Sequence, residues 1–123
     1  MATPNPTITD ISGADRVLRA VWVLTTADHT GAALGAKYTE YADRTVYFLG
    51  TWGGATATVE GGDGTTYVAI TDPQGNAISK TVDAMEAMTE LPEFTRPRLS
   101  SVGAGASVTV TMIMRRGIRK GGN

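Results

Sequence analysis

The residue types able to do acid–base or metal chemistry are few and scattered. His29 is the single histidine and stands beside Asp28 in a polar stretch. An imidazole titrates near neutral pH, but no further group at a supporting spacing accompanies it, and an inert surface loop is the expected setting. Asp63, inside the run Gly61-Gly62-Asp63-Gly64, invites comparison with a calcium loop. Such a loop needs several acidic ligands at regular spacing, which are missing, so a plain tight turn is expected. No two carboxylates have a spacing that singles them out for glycoside hydrolysis, and no glycine-rich phosphate loop closing on Gly-Lys is present. With no cysteine there is neither a disulfide framework nor a thiolate metal site. No residue is therefore assigned a catalytic, metal-binding or cofactor-binding role, and the expected class is non-enzymatic.

Residues suited to binding are more numerous. Trp22, Trp52, Tyr47 and Phe48 fall in strand-like runs, where aromatic rings ordinarily fill a core. Tyr38 and Tyr41 lie in a loop-like part and are the expected exposed pair. With Trp52 they form the candidate set for stacking on a glycan. Charge is unevenly placed: all 12 acidic residues lie at or before Glu93, where five cations leave a net −7, and Arg96, Arg98, Arg115, Arg116, Arg119 and Lys120 follow with no acid among them. A short basic end can meet phosphates, but solvent or an acidic protein surface is the commoner setting. Direct nucleic-acid binding is not expected.

These residues must be positioned by strands. In 44–71, Val46, Phe48, Gly50 and Trp52 alternate with Thr45, Tyr47, Leu49 and Thr51, the period of two of a pleated strand. Gly53-Gly54 interrupts, Ala55, Ala57 and Val59 then alternate with Thr56, Thr58 and Glu60, and the glycine run 61–64 separates them from a third strand. The stretch reads as a β-meander. Residues 16–26 form a β-branched run with Leu18, Ala20, Trp22 and Leu24 on one face and both faces expected to be at least half buried. The sequence Asp72-Pro73-Gln74-Gly75-Asn76 is a turn signal, after which residues 77–82 should return antiparallel. Residues 83–91 suit a short helix or a strand, and strand is preferred in an otherwise all-β chain. Pro97 within its run points to a sheet edge. The cleanest alternation is Val108, Val110, Met112 and Met114 against Ser107, Thr109, Thr111 and Ile113.

The fold expected is therefore a single-domain antiparallel β-sandwich of about 7–9 strands. An extended N-terminal arm occupies residues 1–12, the sandwich 13–116, and a flexible basic tail 117–123. Residues 7–11 could pair as a short edge strand. The start lacks the pattern of a secretory signal, and no apolar run approaches the roughly 20 residues that span a bilayer. Synthesis in the cytoplasm and no membrane partner are expected.

Several blocks in order, residues 41–46, 50–61, 63–67 and 71–77, then Arg96-Pro97 and Arg115-Arg116, resemble a family of small tailed-bacteriophage virion proteins of the capsid decoration or cement type. The likeness covers about residues 40–116. It departs at Gly61-Gly62-Asp63-Gly64, where a longer turn is expected, and over the first 35 residues. The resemblance implies a β-sandwich on the capsid surface that binds the major capsid protein, self-associates on the shell and stabilises it. Pro4, Pro6 and Ile8 of the arm and Arg115, Arg116, Arg119 and Lys120 of the basic end are the expected capsid contacts. The alternatives are a carbohydrate-binding module on the virion, using Tyr38, Tyr41 and Trp52, and a head–tail or tail component.

Overall fold

The computed structural model describes residues 3–116. Nine strands follow one another: β1 (Thr7–Asp10), β2 (Val17–Thr25), β3 (Asp43–Thr51), β4 (Thr56–Gly62), β5 (Tyr67–Ala69), β6 (Ser79–Lys80), β7 (Ala84–Ala87), β8 (Phe94–Ser100) and β9 (Ser107–Arg115). One 3-10 turn, Ala36–Tyr38, interrupts them. Every ladder is antiparallel, and the two sheets make the all-β sandwich that the alternation predicts.

The first sheet has the order β1-β2-β9-β3-β7. In the second, β8 pairs with β4 along its whole length, so β5 and β6 share the other edge of β4. Inward residues close the core between them: Trp22, Leu24, Val46, Phe48, Val108, Val110, Met112 and Met114 from one sheet, Ala55, Ala57, Val59, Ile78 and Leu99 from the other, all essentially without exposure. Each strand with one apolar row has one place to put it, since successive side chains point to opposite faces. Residues 84–87 are strand, not helix, and their Met85 and Ala87 side is exposed.

Three expectations change. The stretch 44–71 is not a meander: β3 belongs to the first sheet and β4 to the second, and Gly53-Gly54 carries the chain across the sandwich. Alternation records which side of a strand is buried, not which strand it pairs with, and only β4 and β5 form the expected hairpin. The second concerns β2, whose outer face is open: Arg19 and Val23 are exposed while Val17 and Val21 are half-buried. The last is that residues 77–82 yield only the two-residue β6, which pairs with β4 rather than with the strand before it.

Local chemistry accounts for the turns. The Asp72 carboxylate accepts from the amides of Gln74 and Asn76, at 3.0 Å each, and Gly75 takes φ +88, a conformation open to glycine without steric cost. The β4–β5 turn is closed by Asp63 in the same way, through the amides of Thr65 and Thr66. Pro97 sits in β8, whose side away from β4 meets only irregular chain: Gly31 and Leu34 donate to the carbonyls of Pro97 and Thr95, at 2.9 and 2.8 Å. A strand without an amide at that position loses nothing there.

Candidate interaction surfaces

His29 is half-buried, its Nδ1 lies 3.3 Å from the Thr30 hydroxyl, and its carbonyl accepts from Leu99. Among the described residues no group of three or more His, Asp or Glu side chains could hold a metal. Asp63 is fully engaged in its turn, and the two amides it accepts from hold its pKa below the usual carboxylate value.

The three aromatic candidates are not brought together. Tyr38 and Tyr41 precede β3 and Trp52 follows it, so a nine-residue strand, about 30 Å long, separates them. Tyr41 is buried and donates its hydroxyl to the carbonyl of Asp15 at 2.6 Å. Tyr38 and Trp52 are half-buried, and the Trp52 indole N–H is committed to Asp83 at 2.9 Å. A joint glycan platform on Tyr38, Tyr41 and Trp52 is therefore corrected: one ring has no open face, and the third is at the far end of the strand.

The N-terminal residues expected to reach outward are instead folded onto the sandwich. Ala32 donates to the carbonyl of Pro4 at 2.9 Å, Pro6 is half-buried, and Ile8 packs on the core as β1 pairs Thr7–Asp10 with β2. Main-chain groups at an open sheet edge are satisfied by any strand within reach, and here the chain supplies its own. The loop after β1 is tied down by Asp10, whose carboxylate accepts from Ser12, Gly13 and Asp15 and is pushed down to about 2, chiefly by the Asp15 amide.

At the basic end Arg115 lies 3.8 Å from Asp43, and Arg116 lies 3.5 Å from Glu40, with its guanidinium 5.4 Å from the Tyr41 ring centre. Contact with Tyr41, and then Glu40, raises the Arg116 pKa. Both arginines keep close to half of their side-chain surface open. Arg119 and Lys120 lie outside the described residues.

Sequence reasoning missed Arg44. It is 3% exposed on the inward row of β3, between the sheets. Its Nε donates to the Tyr41 carbonyl at 2.8 Å, one terminal nitrogen to the Thr95 hydroxyl at 3.0 Å, and the other to the Tyr38 carbonyl at 2.8 Å. Burial lowers its pKa to about 10, so it stays charged at neutral pH and clamps the crossover 36–41 to both sheets. Its place two residues before Val46, in the buried row, was the available signal.

The outer faces of the two sheets differ in kind. On the second sheet Glu60 sits between Arg96, at 3.0 Å, and Arg98, at 3.6 Å, and the Arg96 guanidinium covers the Tyr67 ring at 3.8 Å. That face is polar and internally paired. The first sheet turns apolar side chains to solvent: Val23, Leu49 and Met85 are 50%, 49% and 62% exposed. A hollow of about 420 Å³ beside them is lined by Tyr47, Leu49, Asp83, Ala84 and Met85. The ladder registers place these residues in rows: Val23, Thr109, Leu49, then Val21, Thr111, Tyr47, Met85, then Arg19, Ile113, Thr45, Ala87.

Among the described residues no helix is long and apolar enough to cross a membrane. No protein-family model and no curated protein sequence matches the chain.

Proposed function

We propose that this chain is a non-enzymatic structural protein of a tailed-bacteriophage virion, one that binds the capsid shell and stabilises it. The observation that supports this most is the apolar outer face of the first sheet. An antiparallel sheet with one side in water ordinarily turns polar residues outward, and large apolar side chains exposed on one sheet face, here in two columns flanking the threonines of β9, fit a surface that meets another protein. The resemblance of the ordered sequence blocks to decoration proteins is the ground for the capsid as address. The open arginines at the end of β9 supply cations for carboxylates of the major capsid protein.

The test is co-sedimentation of the purified protein with expanded, undecorated shells across a salt series. Saturable binding at a fixed ratio to the shell protein, weakening as salt rises, is expected. Absence of binding at every salt concentration overturns the shell reading and moves the protein to the head–tail joint, the tail or a glycan.

A further inference from the structure

We infer that the outer face of the first sheet receives a second copy of this chain, packed face to face about a two-fold axis parallel to β9. The inference rests on the reading of that face as a protein interface, and it names the occupant.

The argument starts from the registers. Strand β9 is central, with β2 and β3 paired to it in matching positions: Val23 and Leu49 both oppose Thr109, Val21 and Tyr47 both oppose Thr111, Arg19 and Thr45 both oppose Ile113. The face therefore has an apolar column on each side of a column dominated by threonine. A two-fold along β9 exchanges the two sides. It lays Val23 of one copy on Leu49 of the other, Val21 on Tyr47, and the threonines of β9 on themselves, which is the self-complementarity an isologous contact requires. Sheets packed in this way run nearly aligned.

Charge follows the same symmetry. Arg19 is the cation on the outer row of β2, opposite Thr45 and one row from Asp43. The rotation carries Arg19 over the Thr45–Asp43 part of the other copy's β3, giving two equivalent cross-pairs, and it also brings Arg115, on the outer row of β9 beside Asp43, to the axis near its own counterpart. Asp43 is open enough to accept it: its side chain is 66% exposed and its own Arg115 is 3.8 Å away.

The area is sufficient. Three nine-residue strands and two four-residue strands span roughly 550 Å² in plan, so two faces bury about 1,100 Å² before side-chain relief is counted. A specific interface needs about 1,000 Å² or more. The second sheet's outer face has no such symmetry and spends its charges on internal pairs.

Sedimentation velocity over a broad concentration range, with the full chain, tests this. A reversible monomer–dimer equilibrium is expected. Leu49→Glu and Val23→Glu, at half-exposed positions, should each weaken it more than tenfold, while Val68→Glu on the other sheet leaves it unchanged. Arg19→Asp should weaken the dimer about tenfold, and the charge exchange Arg19→Asp with Asp43→Arg should restore it. A monomer at every concentration overturns the inference, and so does a dimer indifferent to Leu49→Glu or Arg19→Asp. Met85→Glu replaces any variant that fails to fold by circular dichroism. Shell co-sedimentation of the same samples keeps the two ideas apart: monomers that bind shells retain the function without this interface, and dimers that ignore shells retain the interface without the function.

Discussion

Arg44 carries its charge between the sheets, and among the described residues no carboxylate pairs with it. Its stabilisation comes from three neutral oxygens, two of them carbonyls of the crossover 36–41. Replacing it with methionine keeps the volume and removes the desolvation of a cation, which by itself would favour folding. It also leaves the buried Tyr41 carbonyl and Thr95 hydroxyl without this donor, while the Tyr38 carbonyl keeps the Tyr41 amide at 3.0 Å, and the loss of the two buried bonds is the larger effect. Arg44→Met is expected to destabilise the protein by about 1–3 kcal/mol, read as a lower urea midpoint. Asp10 acts through pH. Its folded pKa, about 2, lies below the ordinary 3.8, so its contribution is present above pH 3.8 and is lost as pH falls through 2. Asp10→Asn should flatten the acid limb of stability in that window; an unchanged limb between pH 4 and 2 refutes the assignment.

At the scale of the element, the irregular segment 29–34 depends on one close approach. A Cβ on Gly31 would lie 2.6 Å from Cδ1 of Trp22 and 2.9 Å from Cγ of Pro97, while the Trp22 indole donates to the Ala32 carbonyl at 2.9 Å. Neither ring can retreat, because Trp22 is fully buried and Pro97 is part of a strand. Gly31→Ala should therefore cost about 1–3 kcal/mol by overpacking and perturb the Trp22 emission; a wild-type thermal midpoint and spectrum would show that the segment yields. The element scale is also where sequence reasoning stopped. The alternations of β2, β3, β4 and β9 were legible, whereas residues 83–91 suit helix and strand alike and read as strand only from the all-β context; of these, 84–87 form β7. The pairing was not legible, because β3 and β4 are adjacent in sequence and both half-apolar, and nothing local distinguishes a hairpin at Gly53-Gly54 from a crossing between sheets.

Across the whole molecule, the proposed division of labour sets the apolar rows of the sheet face toward a second copy and Arg116, past the end of β9, toward the shell, with Arg115 on the border between the two surfaces. Arg115 and Arg116 already face Asp43 and Glu40 at 3.8 and 3.5 Å with much of their surface open, so their pairs are weak enough to exchange for carboxylates of a partner. Arg115→Ala with Arg116→Ala should leave the fold intact, weaken shell binding, and flatten its salt dependence. An unchanged salt slope would remove the basic end from the contact.

The sequence by itself determined the class of the fold, the identity of most core residues and the separation of acidic body from basic end, because burial in strands is written as a period of two and charge is counted directly. Of the proposed surfaces it showed only half: Arg115 and Arg116 stood out as a cluster, whereas Val23, Leu49 and Met85 come from three strands distant in sequence. Only the tertiary structure decided that these three share one face, that Arg44 is buried, that Tyr41 is closed to ligands, and that the N-terminal strand folds back onto β2. The physical reason is common to all four: each depends on which strands hydrogen-bond to each other, and antiparallel pairing is a contest among all available edges rather than a property of any one segment.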